Sequence, residues 1–105
     1  MGNGNEPAER RRWTNDLERI AAIDSTIDEA LRLLRSAVTE LPLDKSARIP
    51  ELLARAQSAY DRTRPLIGQV NDPEEQRRLR SKHQELEARI WDVQRRRRRH
   101  DQENS

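Results

Sequence analysis

Apolar residues recur at alternating intervals of four and three along most of this chain, and this spacing constrains the fold more than any other feature. On an α-helix such residues share one face, which is buried against neighbouring helices. In the first segment Asp24 is the only polar residue at these positions, and small or apolar flanking residues such as Ile23 widen the stripe. The recurring positions, which we call the first seam, are Trp13, Leu17, Ile20, Asp24, Ile27, Leu31, Leu34, Val38 and Leu41.

Two further segments carry the same spacing, and two turns separate the three, one at Pro42 to Lys45 and one at Gly68 to Asp72. Pro42 stops the first helix because proline lacks the N–H group that the helix requires. The sequence from Asp72 to Glu75 is a strong helix start, with Asp72 as N-cap and Pro73 at the first helical position. We therefore predict helices near residues 8–41, 47–70 and 73–98.

Three such helices joined by short loops predict an all-α protein, an antiparallel up-down-up three-helix bundle with coiled-coil-like heptad packing. The same pattern would support helices exchanged between two chains, so a homodimer remains open. We assign residues 1–7 to a flexible leader, 8–98 to the bundle and 99–105 to a disordered polar and basic tail. The residues expected to be buried are Leu17, Ile20, Ile27, Leu31, Leu34, Leu52, Ala56, Leu79, Leu86 and Ile90.

The composition offers little catalytic chemistry. The chain has no cysteine and two histidines, and it contains no nucleophile elbow, phosphate loop or metal-ligand spacing. We therefore expect a protein that is not an enzyme and that uses neither a cofactor nor a metal. No apolar run approaches the roughly 18 residues of a membrane span, and the N-terminus lacks the apolar core of a signal peptide. We expect no membrane partner and a cytoplasmic or nuclear location.

Three polar residues on the helix seams fall at nearly the same height: Asp24, Thr63 and His83. One interpretation is a carboxylate–imidazole site. The other is a buried polar layer that fixes helix register at some cost in stability. We favour the layer, since neither a nucleophile nor a pocket-forming loop accompanies these residues. It predicts that Asp24 is within hydrogen-bonding reach of His83 or Thr63, directly or through one water.

Basic residues recur every seven positions on the second and third segments. Seven residues rise about 10.5 Å, so each set forms a straight row of cations along one helix edge. In one bundle handedness the two rows face each other beside a groove, and in the other they lie on different edges with Asp28 near Lys82 or Arg89. The rows are Arg48, Arg55 and Arg62 on the second helix, and Lys82, Arg89 and Arg96 on the third.

A run of five arginines follows the last apolar seam residue: Arg95, Arg96, Arg97, Arg98 and Arg99. Such runs are typical of nuclear localisation signals and of arms that bind nucleic acid. Together, the rows and the run predict a nucleic-acid-binding protein that contacts the backbone of duplex RNA or DNA without sequence specificity. The run would form an extended arm.

The alternative function is a protein–protein interaction module, a helical adaptor or scaffold that binds a helix or an acidic protein. Trp91 lies next to the third seam, where it either caps the edge of the core or serves as an exposed anchor for a protein partner. Trp13 and Tyr60 fall on apolar stripes, so we expect both in the core.

Overall fold

Three helices make up the fold in the computed structural model, which describes the backbone of residues 8–41 and 48–103 and the side chains of residues 15–41 and 48–102. They are α1 (Ala8–Glu40), α2 (Ile49–Gly68) and α3 (Pro73–Glu103), and no described residue belongs to a strand. Each helix packs against the other two, so the prediction of an all-α three-helix bundle is confirmed. The predicted leader, residues 1–7, lies outside the described residues.

Contacts along the helices define their relative directions. Asp16, near the start of α1, accepts a hydrogen bond from Asn71, just after α2, which is the order of an antiparallel pair. Asp24 of α1 contacts Arg78 near the start of α3, and further along both helices residues 31–39 and 85–96 line one groove, which is the order of a parallel pair. No helix within the described ranges combines the length and the apolar character that crossing a membrane demands.

Helix α3 begins where its sequence signal placed it. The Asp72 carboxylate accepts hydrogen bonds from the backbone N–H groups of Glu74 and Glu75, at 2.9 and 3.3 Å. These N–H groups have no partner inside the helix, so the side chain of an N-cap residue satisfies them. The turn before it is closed by a bond from the Val70 N–H to the Ile67 carbonyl, 3.1 Å long.

The side of α1 that faces the core differs from the first seam. Leu17 was expected in the core, but it is 58% exposed, and Ile20 and Leu31 are only partly buried. The other seven residues of the predicted set are buried as expected. The Trp13 side chain, also expected in the core, lies outside the described side chains. The buried residues here are Asp16, Ile23, Ile27, Ala30, Leu34 and Ala37 of α1, and Leu41 directly after it.

Small side chains between α1 and α2 explain this rotation of α1. Ala30 and Ala59 line the same α1–α2 groove, and both are buried. Alanine allows two helix backbones to approach closely, so the flank of α1 that carries Ile23 and Ala30 turns into the core. The opposite side of the apolar stripe, with Leu17 and Asp24, is thereby moved to the edge of the bundle.

Helix α3 continues through Glu103, so the prediction of a disordered tail from residue 99 is wrong for residues 99–103. Residues 104 and 105 lie outside the described residues. Beyond Val93 the seam side chains Arg97 and His100 are half-buried, and Arg97 and Arg98 line a groove with Pro50 of α2. An arginine can bury its aliphatic stem and keep its guanidinium in water, so the packed side of α3 extends past its last apolar residue.

Candidate nucleic-acid interface

Two of the three residues predicted to form a polar layer do meet in the bundle. The Thr63 hydroxyl donates to the carbonyls of Ala59 and Tyr60, at 2.8 and 3.2 Å. His83 Nε2 lies 2.9 Å from the same Tyr60 carbonyl, and because a carbonyl only accepts, Nε2 carries the proton. The His83 ring also stacks on the Tyr60 ring, with centroids 3.9 Å apart. These contacts fix how α2 and α3 meet.

Asp24 has no direct hydrogen bond to His83 or Thr63, so the prediction of a direct bond within this layer is wrong. The rotation of α1 places it at the α1–α3 edge, where its carboxylate accepts bonds from Arg78 at 2.7 and 3.0 Å and from Lys82 at 2.8 Å. The hydrogen bond from Arg78, supported by Lys82, holds the pKa of Asp24 below its ordinary value although partial burial opposes this. Asp24 therefore serves as an ion-pair partner between helices.

The two basic rows lie on different edges of the bundle, and both edges border α1. Arg55 and Arg62 line the α1–α2 groove, whereas Arg89 and Arg96 line the α1–α3 groove. The sequence allowed two arrangements of the rows, and the structure has the one that places Asp28 beside Lys82. The two side chains lie 2.7 Å apart. A double row of cations beside one groove is not formed.

Acidic residues pair with most of the cations in these rows. Lys82 contacts both Asp24 and Asp28; burial alone would lower the pKa of Lys82, but the hydrogen bonds to the two carboxylates outweigh it and raise the pKa. Arg62 is the exception, with no ion pair to a described residue. The remaining row pairs are Arg48–Glu40 at 3.3 Å, Arg55–Glu29 at 4.0 Å, Arg89–Glu85 at 4.0 Å and Arg96–Asp92 at 3.0 Å.

The arginine run is helical and does not form an extended arm. Successive residues of a helix point about 100° apart, so the five side chains spread around the whole circumference of α3. Arg95 and Arg96 both lie near Asp92, at 3.8 and 3.0 Å. Arg97 and Arg98 line the groove between α2 and α3, where neither has an ion pair with another described side chain.

A different surface gathers arginines without acidic partners. The Tyr60 hydroxyl donates to the Glu87 carboxylate, which marks the line where α2 and α3 meet. Residues three, four or seven positions apart on a helix share a side, so exposed residues at these intervals from Tyr60 and Glu87 lie along that line. We call this surface the α2–α3 face, and its exposed members are Gln57, Arg64, Arg80, Gln84, Glu87, Trp91 and, seven positions beyond Trp91, Arg98.

None of the three arginines on the α2–α3 face has an ion pair with a residue that the structure describes. Trp91 was expected either to cap the edge of the core or to be exposed. It is 56% exposed. Arg64 and Arg80 were missed from the sequence because they belong to no seven-residue row. For Arg80 a signal existed: the residues three and four positions away are Gln76, Arg77, His83 and Gln84, and none is acidic.

Asp16 is the other polar residue that sequence reasoning missed. It is 4% exposed, and its carboxylate accepts the backbone N–H groups of Asn71 and Asp72 at 2.8 and 3.3 Å. Arg19 lies 3.7 Å from Asp16 and donates to the Gln69 carbonyl. These bonds fasten the α2–α3 turn to α1, so they hold one end of the α2–α3 face in place.

No cluster of three or more acidic or histidine side chains within the described ranges could hold a metal ion. Comparisons with known proteins add no relative, since no protein-family model, no curated protein and no solved structure matches this chain. The residues of the surface must therefore carry the functional argument.

Proposed function

We propose that this protein is a non-enzymatic nucleic-acid-binding protein that contacts the backbone of a duplex through the α2–α3 face. The observation that carries the proposal is the gathering there of Arg64, Arg80 and Arg98 without acidic partners, beside the half-buried Arg97. A guanidinium binds phosphate through paired hydrogen bonds and releases condensed counterions. An unpaired arginine can do this without first giving up a carboxylate, whereas Arg48 or Lys82 cannot.

The dimensions of the face suit a phosphate backbone. Arg80 and Arg98 lie five helical turns apart on α3, about 27 Å along the axis. The contacts of Tyr60 with His83 and of Ile67 with Gln76 place Arg64 of α2 near the level of Arg80. Duplex DNA carries one negative charge per roughly 1.7 Å of its axis, so the face spans many phosphates. Contacts to phosphates carry no sequence information, so we expect binding with little dependence on base sequence.

The test compares two triple variants with the same change in charge. One replaces Arg64, Arg80 and Arg98 with alanine, and the other replaces three arginines that have acidic partners, Arg48, Arg55 and Arg89. Fluorescence anisotropy with duplex RNA, duplex DNA and single strands, at several salt concentrations, gives affinity and its salt dependence. We expect the first variant to weaken duplex binding and to reduce the salt slope by about one unit for each phosphate-binding arginine removed, and the second to change both much less.

Equal weakening in the two variants would mean that net charge, and not this face, drives binding. Absence of duplex binding by the wild-type protein near physiological salt would refute the proposal itself. Both variants should melt within a few degrees of the wild type, because exposed ion pairs contribute little to folding.

A protein–protein interaction module is the second candidate, and the α1–α3 groove favours it. The groove has a volume of about 360 Å³ and an apolar floor that includes the half-buried Leu31 and Val38. Arg35 and Arg89 stand at its rim. An amphipathic helix with acidic flanks would fit this surface. Replacing Arg35 and Arg89 with glutamate should then abolish binding of such a peptide, while duplex binding through the α2–α3 face should persist.

A further inference from the structure

Trp91 is the most exposed aromatic side chain that the structure describes. Its neighbour Ile90 is 4% exposed, whereas Trp91 is 56% exposed. Its indole has no hydrogen bond and its ring no stacking partner among the described residues. Leaving a large aromatic surface in water forgoes hydrophobic stabilisation, so this side chain does little for the bundle. It is available to a ligand.

The surroundings of Trp91 specify the kind of ligand. Arg95 lies one helical turn beyond it and Arg98 two turns beyond, on the same side of α3, so a flat apolar surface stands next to exposed cations. Proteins that bind single-stranded nucleic acid combine these two features, because bases stack on aromatic rings while cations follow the phosphates. The bases inside a duplex are already stacked on one another, so Trp91 can serve only a base that is unpaired.

We infer that Trp91 is a stacking platform for an unpaired nucleobase next to a duplex, so that the protein prefers a duplex with a single-stranded extension to a blunt one. This inference rests on the proposed function, with the duplex held by Arg64, Arg80 and Arg98. One stacked base typically changes affinity by about 5- to 150-fold. A single ring supports a preference at the lower end of that range, about tenfold.

The experiment uses the full chain and one duplex in three forms: blunt, with a 3′ single-stranded extension and with a 5′ extension. We expect the wild type to bind one or both extended forms about tenfold more tightly than the blunt form. Trp91→Ala should lose the preference and bind the blunt and extended forms with equal affinity, and Trp91→Phe should recover part of the preference. Leu17→Ala is the matched control, because Leu17 is the other large exposed apolar side chain, at 58%.

Fluorescence gives an independent readout of the stacked ring. The chain has two tryptophans, so Trp13→Phe leaves Trp91 as the single tryptophan emitter. An extended duplex should quench its emission, and the blunt duplex should quench it far less.

Two results would overturn the inference and leave the proposed function standing: a wild type that binds all three forms equally, or a Trp91→Ala variant that keeps the preference. Equal weakening of blunt and extended binding in Trp91→Ala would also overturn it, since Trp91 would then act on the duplex contact as a whole. If no form binds, the proposed function fails together with the inference.

Discussion

The edges of the bundle that border α1 and the α2–α3 face both carry basic side chains, but they differ in what those side chains meet. Across the grooves that α1 forms, its acidic residues Asp24, Asp28, Glu29 and Glu40 lie opposite arginine and lysine. On the α2–α3 face, two helices that are each basic overall meet, and the structure records no acidic partner for Arg64, Arg80 or Arg98. Identical residue types therefore contribute to assembly on one side and are free for a ligand on the other.

This difference shows that regular spacing alone does not mark a binding surface. The seven-residue rows are the most regular basic pattern in the sequence, yet five of their six members have acidic neighbours within 4.0 Å. Three of the five pair with acidic residues of α1, whereas Arg89 and Arg96 pair with acids four positions earlier on α3. Availability therefore depends on the acidic residues within reach on either helix. The less regular arginines of α2 and α3 are the available ones.

The pairing of basic residues at the edges beside α1 depends on the rotation of α1. The largest effect that we predict tests this rotation. Ile23 is fully buried whereas Leu17, on the first seam, is 58% exposed. Ile23→Ala should lower the free energy of unfolding by about 2–5 kcal/mol, because it leaves a cavity in the core. Leu17→Ala should change it by less than about 0.5 kcal/mol. Chemical denaturation of both variants would measure this, and the reverse order of effects would restore the first seam as the buried side.

The link between α1 and the α2–α3 turn comes next in size. Asp16→Ala would leave the backbone N–H groups of Asn71 and Asp72 without their carboxylate, at a cost of about 1–3 kcal/mol. Hydrogen exchange should show the amides of the turn losing protection more than those near the middle of α2. If protection fell uniformly or not at all, Asp16 would not be fastening the turn.

A smaller effect is expected when two paired cations at the α1–α3 edge lose their acidic partner and can bind phosphate. Asp24→Asn weakens the hold on Arg78 and Lys82, so duplex affinity should rise severalfold and the salt slope should steepen by up to about one unit. The cost in stability should stay near 1 kcal/mol or below. Asp61→Asn is the control, since it removes the same charge but Asp61 bonds to Gln57 and not to a cation. An equal gain in both variants would show that only net charge matters.

The smallest effect is the pH dependence of the same ion pairs. The pKa of Asp24 is lowered in the fold, so its contribution to stability is present above the unfolded pKa, about 3.9, and is lost as the pH falls through the lowered folded value. The stability difference between wild type and Asp24→Asn should therefore be constant from about pH 7 to pH 5 and shrink below about pH 4. A difference that disappears above about pH 5 would contradict this sign.

Sequence patterns were sufficient for the helices and for most of the core, because apolar periodicity and the Asp72-Pro73 start are local signals. They were insufficient for the rotation of α1, since Leu17 and Ile23 are both large and apolar, and only packing at the α1–α2 groove that Ala30 and Ala59 line selects between them. The error at Asp24 follows from that rotation. The end of α3 was predicted too early because the prediction used only apolar side chains. The aliphatic stem of an arginine such as Arg97 can also pack against a neighbouring helix.

The central claim is that the unpaired arginines of the α2–α3 face, and not the paired rows, contact nucleic acid. Titration of the isotope-labelled protein with a short duplex, followed by NMR of the arginine side-chain Nε–H groups and the backbone amides, tests it residue by residue. We expect the largest shifts at Arg64, Arg80 and Arg98, with small ones at Arg48, Arg55 and Arg89. Shifts concentrated on the latter three, along the edges beside α1, would contradict the claim.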